Sequence, residues 1–132
     1  MSTRPEILQT FIAKLMAGQL DEAFALLHPD FVINEADSLP YPGDHHGADG
    51  FLKLFATVNE NFELTIHDAE FLDAGSTVIV KADTSLKSRV TGETVRMPIV
   101  EMYRFSDDDL ILSGDVYYKD TQAVADLYAG GR

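Results

Sequence analysis

Along the first half of the chain apolar residues recur at helical spacing; along the second half they alternate. From Pro5 to Gly18, Ile7, Leu8, Phe11, Ile12, Leu15 and Met16 fall three and four apart, with Thr3 placed to cap the run and Gly18 to stop it. Asp21 opens a second short helix that reaches Leu27 and turns Ala23, Phe24 and Leu27 inward. It closes at His28-Pro29, because the residue before a proline disfavours helix. Phe31 to Ala36 reads as a short strand, and Ser38 to Gly47, with two prolines and two glycines, as turns. A third helix runs from about Ala48 to Asn59 and buries Phe51, Leu52, Leu54, Phe55 and Val58.

Four strand-like segments follow, near Phe62 to Leu72, Thr77 to Val90, Thr94 to Phe105 and Leu110 to Tyr118. Ala74-Gly75, Thr91-Gly92 and Asp107-Asp108-Asp109 punctuate them, which predicts an antiparallel meander. A last helical turn or two, Thr121 to Tyr128, precedes a fraying Gly130-Gly131 tail. Helices first and a meander afterwards predict an α+β domain with helices on one face of a bent sheet. No repeat or linker interrupts residues 1–132, so one domain is expected, with a hollow between sheet and helices where a small molecule can bind.

Composition narrows the partners. A net charge of -12 without any Lys/Arg cluster argues against nucleic acid and anionic membrane surfaces. With no cysteine, disulfides, thiol nucleophiles and thiolate metal sites are ruled out. Met1 to Glu6 has no apolar stretch of the signal-peptide kind, and no run approaches the roughly 20 residues that span a bilayer. The chain reads as cytoplasmic.

The segment from Phe11 to Val32, with its Ala17-Gly18-Gln19-Leu20-Asp21 turn and His28-Pro29-Asp30 ahead of a strand, resembles the opening of SnoaL-like and ketosteroid-isomerase-like proteins of the NTF2-like superfamily. Leu39-Pro40-Tyr41-Pro42-Gly43, Glu101 to Phe105 and Tyr117 to Thr121 extend the resemblance over nearly the whole chain. It implies a cystatin-like curved antiparallel sheet, wrapped by three N-terminal helices into a cone-shaped pocket. Such a fold hosts isomerases, cyclases, dehydratases, epoxide hydrolases and non-catalytic carriers, so it does not by itself name a chemistry.

The resemblance places Glu35 where ketosteroid isomerases hold the proton-shuttling aspartate, and Glu101 where they hold the protonated acid that hydrogen-bonds the oxyanion. Strand alternation independently puts Met97, Ile99, Glu101, Tyr103 and Phe105 on one face, where a carboxylate is either paired or neutral. The expectation is therefore Glu35 as base and Glu101 as acid or donor, with a buried structural acid and a solvated strand-end acid as the plainer alternatives. The family's helix-one tyrosine falls at Phe11, which has no hydroxyl, and both acids are Glu where the family uses Asp. Tyr41, Tyr103 and Tyr118 are the hydroxyls available to replace it.

His45 and His46 lie in the loop before helix three, where a side chain can overhang a pocket mouth and exchange protons near neutral pH; loop histidines in water are the plainer reading. Adjacent in sequence, they make a weak metal pair with Asp44 or Asp49, and no metal is expected. His28 reads as a cap and His67 as exposed. Lys81 and Asp83 are similar to an epoxide-hydrolase Arg-x-Asp pair, but parity from the Thr91-Gly92 turn sends Ala82, Thr84 and Leu86 inward and leaves Lys81 and Asp83 outside unless a bulge reverses the faces. Asp115 lies on the same outer face, and the acidic run at 107–109 reads as a solvated turn without a bidentate Glu for calcium.

Taken together, the sequence predicts a cofactor-free proton-transfer enzyme of isomerase, cyclase or dehydratase type acting on a small, mostly apolar carbonyl compound. Phe11, Phe55, Met97 and Ile99 are expected to line its pocket with Tyr103, Val116 and Tyr118, and Tyr41 and His46 to contact the substrate. A non-catalytic binder of a small hydrophobic ligand, and an interaction domain with a filled cone, are the rivals. Pro98, Val100, Met102 and Tyr117 on the outer face predict a homodimer.

Overall fold

The computed structural model describes residues 2–130. In chain order the elements are α1 (Arg4–Met16), α2 (Leu20–Phe24), β1 (Leu27–Glu35), β2 (Gly43–His46), α3 (Gly47–Asn61), β3 (Phe62–Ala74), β4 (Thr77–Ser88), β5 (Thr94–Phe105), β6 (Ile111–Tyr118) and α4 (Thr121–Ala129). The expected fraying of the tail falls partly on Gly131, outside the described residues.

Helix α1 begins where expected. Thr3 Oγ1 accepts from the Glu6 amide at 3.3 Å while Glu6 Oε1 accepts from the Thr3 amide at 2.9 Å, a capping box that satisfies two otherwise orphaned donors. Helix α2 is shorter than predicted, and Asp21 is not its cap: Gln19 holds that position without a side-chain bond. The helix stops early because the Leu26 carbonyl already accepts from the Ile111 amide, which draws Leu27 onward into a strand.

The six strands form one sheet in the order β2-β1-β6-β5-β4-β3. The meander from β3 to β6 is antiparallel as predicted, but β1 joins β6 in parallel. A parallel neighbour needs a long crossover, and everything from β2 to β5 supplies it. His67 sits at a register shift in β3 between Ile66 and Asp68; such a bulge bends the strand and adds to the curl of the sheet. The turn-rich stretch ahead of α3 also holds a short edge strand, β2, that composition did not reveal.

The helices close the concave face around Phe51, whose ring meets those of Phe11, Phe24 and Phe31 edge-on at 5.6, 5.9 and 6.0 Å and stacks on Phe55 at 6.2 Å. Leu52, predicted inside, is exposed. On β4 the alternation is unbroken: Val78, Val80, Ala82, Thr84, Leu86 and Ser88 are all buried, while Lys81 stands in water. Asp83 pairs with Arg96 at 2.7 Å on the outer face. No helix among the described residues is long and apolar enough to cross a membrane.

Candidate functional site

A cavity of about 130 Å³ remains between sheet and helices. Its apolar lining includes Ile12, Leu15 and Met16 from the end of α1, Phe55 and Val58 from α3, and Leu64 and Ile66 from β3. Ile33, Ile99 and Val116 line it from the sheet, among five polar side chains: Glu35, Thr84, Glu101, Tyr103 and Tyr118.

Strand register explains why two distant acids share one wall. The parallel pairing Asn34↔Asp115 brings Glu35 level with Val116, and Val116 is paired on its other side with Glu101. Two strand spacings therefore separate the acids, roughly 10 Å between backbones, and both line the same cavity. Gly114 makes room one pleat away. A Cβ at this position would stand 2.8 Å from Cε1 of Tyr103 and 3.3 Å from Cγ1 of Ile33, so only glycine lets the Tyr103 ring lie flat across β6.

The two acids differ in their partners. Tyr103 donates from its hydroxyl to Glu101 Oε1 at 2.7 Å. Glu35 is 5% exposed, and its Oε1 has no hydrogen-bond partner among the described residues. Burial, reinforced by the charge of Glu101, pushes the Glu35 carboxyl up to about 9. Glu101 is also raised by burial, but the Tyr103 hydroxyl works against that by stabilising its charge. Glu101 is half-buried and opens onto the cavity. Of the pair, Glu35 is the acid that holds its proton longer, since its neighbour is a carboxylate and it lacks a donor. Burial also lifts Tyr103 and Tyr118 well above the usual phenol range, so both remain proton donors.

Glu35, Glu101, Phe55, Ile99, Tyr103, Val116 and Tyr118 are thus brought together on the cavity wall. Four other residues expected at the site are not. Phe11 is fully buried behind Phe51, because Leu8, Phe11 and Leu15 form the core stripe of α1 and the wall falls to Ile12, Leu15 and Met16 instead. Met97 is buried opposite Thr84, whose hydroxyl donates to the Met97 carbonyl at 3.0 Å, and the wall at that level is formed by Thr84 and Leu86 of β4. His46 is exposed on edge strand β2, paired with Val32, away from the hollow. Tyr41 lies one layer out, its hydroxyl 2.8 Å from that of Tyr118, with its carbonyl held by His45 Nε2 at 3.1 Å.

The sequence reading did not place Ile33, Leu64 and Ile66 on the wall; the period-two pattern of their strands carried that signal. Among the described residues no three His, Asp or Glu side chains gather at metal-binding range.

In fold, the chain is an NTF2-like protein. It is similar to an NTF2-like protein from Burkholderia xenovorans at 23% identity, covering 97% of this chain and 98% of that one with a TM-score of 0.86. Against an NTF2-like protein from Burkholderia thailandensis the values are 24% identity, 96% and 98% coverage and a TM-score of 0.85. TerC, co-crystallised with polyporic acid, aligns at 18% identity over 97% of this chain and 99% of its own, with a TM-score of 0.84. No curated protein matches the sequence. The SnoaL-like domain profile matches residues 8–113, and the chain belongs to that family.

Proposed function

We propose that the chain binds a small, mostly apolar carbonyl compound in this cavity and moves protons on it without a cofactor, as an isomerase, cyclase or dehydratase does. The observation that carries this reading is the pair of carboxyls, Glu35 and Glu101, facing one apolar cavity with opposite hydrogen-bond status. The roles expected from the family resemblance are exchanged. Glu101, steadied by Tyr103, is the carboxylate that takes a proton from the carbon beside the carbonyl. Glu35, neutral and unpartnered, donates its proton to the carbonyl oxygen as the enol forms. The pair holds one proton before and after, so no net charge is created in a low-dielectric site. Return of a proton from Glu101 to a different carbon, as the enol hydroxyl gives its proton back to Glu35 and the carbonyl re-forms, completes an isomerisation. TerC, a solved neighbour of the same fold, was co-crystallised with polyporic acid, which supports a small organic molecule as the class of ligand.

The test is exchange of α-protons in D2O, followed by NMR for a panel of one- and two-ring ketones and enones. Wild-type protein is expected to accelerate exchange of at least one, and Glu35→Gln and Glu101→Gln each to lose it. Exchange that survives both substitutions refutes the assignment. A second reading, a non-catalytic binder, is favoured by Phe11, which puts no hydroxyl where the resembled isomerases have a tyrosine; binding without exchange would select it. We also propose a homodimer through the outer sheet face, supported by exposed Pro98, Met102 and Tyr117.

A further inference from the structure

The charge balance of the cavity points beyond carbonyl compounds. Among the residues lining it there is no Lys, Arg or His. The groups facing Glu35 are Glu101 and Tyr103 on β5, Tyr118 on β6 and, behind it, Tyr41; α1 and α3 present apolar side chains to the cavity. Nothing cationic offsets the two carboxyls, and a buried carboxylate without a counter-charge is costly. Glu35, which is 5% exposed, adds an unpartnered oxygen at the wall. Most of the remaining lining is apolar, and the cavity volume of about 130 Å³ is close to the ~150 Å³ cavity that accepts a benzene ring.

We propose that the cavity is a site for a small apolar primary amine, whose ammonium group bridges Glu35 and Glu101 while its hydrocarbon part lies against Leu15, Phe55 and Leu64. An ammonium has three donors and no acceptor. It supplies the missing partner of Glu35 Oε1 and bonds Glu101 on the side that Tyr103 leaves open. Charge-assisted bonds of this kind are about twice as strong as neutral ones. A neutral alcohol of the same shape offers one donor, and a carboxylate ligand brings a third acid to a wall that has two. This goes beyond the proton-transfer reading and does not rest on it, because it concerns only what the cavity holds.

Binding also has a proton signature. In the free protein Glu35 keeps its proton at neutral pH, its carboxyl being raised to about 9 by burial and by Glu101. A bound ammonium stabilises both carboxylates, so Glu35 must release that proton, and affinity rises with pH until the amine itself begins to lose its charge.

The experiment is isothermal titration calorimetry of the wild-type protein with benzylamine, benzyl alcohol and benzoate at pH 7, each in two buffers of different ionisation enthalpy. Benzylamine is expected to bind at least about tenfold tighter than benzyl alcohol, with close to one proton released per amine, and benzoate to give no detectable heat. Glu101→Gln is expected to abolish the preference for the amine while keeping benzyl alcohol binding. Benzyl alcohol or benzoate binding as tightly as the amine, amine binding without proton release, or no amine binding at all overturns the proposal. None of these results touches α-proton exchange, so the two readings fail separately.

Discussion

Replacing Glu35 by Gln should change how stability depends on pH. The folded protein raises this carboxyl from its ordinary 4.5 to about 9, mainly by burial. Between those two values the folded chain keeps a proton that the unfolded chain gives up, so stability is fully present below pH 4.5 and lost as pH rises toward 9. Each pH unit is worth about 1.4 kcal/mol, which makes the loss on the order of 3 kcal/mol at pH 7 and ~6 kcal/mol at pH 9. Against a typical total of about 5–15 kcal/mol, this one side chain governs how far into alkali the fold survives. Glutamine keeps the shape and cannot ionise. Whatever its amide costs or contributes is nearly constant with pH, and exposed acids whose values are lowered, Glu6, Asp83 and Asp108, act equally in both proteins. Urea unfolding at pH 5, 6, 7, 8 and 9 therefore isolates the group. The stability of Glu35→Gln minus that of wild type is expected to climb by about 1.4 kcal/mol per pH unit across this range. A difference that stays flat shows that Glu35 is ionised in the folded protein, and refutes the argument from its burial.

Three further outcomes follow from the same wall. Tyr103→Phe removes the hydroxyl that donates to Glu101 at 2.7 Å, so the Glu101 carboxyl should titrate at higher pH by carbon-13 NMR and the fold lose about 1–3 kcal/mol; an unchanged Glu101 titration would show that the bond does not set its charge. Gly114→Ala drives a methyl to 2.8 Å from the Tyr103 ring and should cost about 1–3 kcal/mol in chemical denaturation; no loss would mean that ring moves freely. If Met102 and Tyr117 cover a partner copy, sedimentation equilibrium gives twice 14.6 kDa at micromolar concentration and Tyr117→Lys shifts it to one; wild type that is monomeric throughout removes the dimer.

Much of the fold can be read from local pattern because the alternation of a strand and the spacing of a helix depend only on nearby residues. The Thr3 cap, the four strands of the meander, and the inward set Ala82, Thr84 and Leu86 with Lys81 outside all follow from such rules. Pattern states which face a side chain takes, but it does not state what stands opposite. The core stripe of α1 was legible, yet the packing of Phe51 decided that Phe11 is sealed behind a ring while Ile12 and Met16 reach the cavity. Likewise Met97 has the right parity on β5, but the curl of the sheet gives the wall to Thr84 and Leu86.

By itself, then, the amino-acid sequence determined the α+β order, the inward faces of β4 and β5 and the two acids worth watching. Tertiary structure alone decided that those acids meet. The parallel pairing of β1 with β6, made across the crossover of residues 36–110, sets Glu35 beside Val116 and hence next but one to Glu101. The same packing buries Glu35 at 5% exposure, where the sequence alone left a solvated strand end open as an alternative, and joins Tyr41 to Tyr118 from opposite parts of the chain. The physical reason is that a hydrogen-bond ladder fixes spacing along two strands only after they have been brought together. Which strands those are is settled by the closure of the whole core, and no short window of sequence contains it.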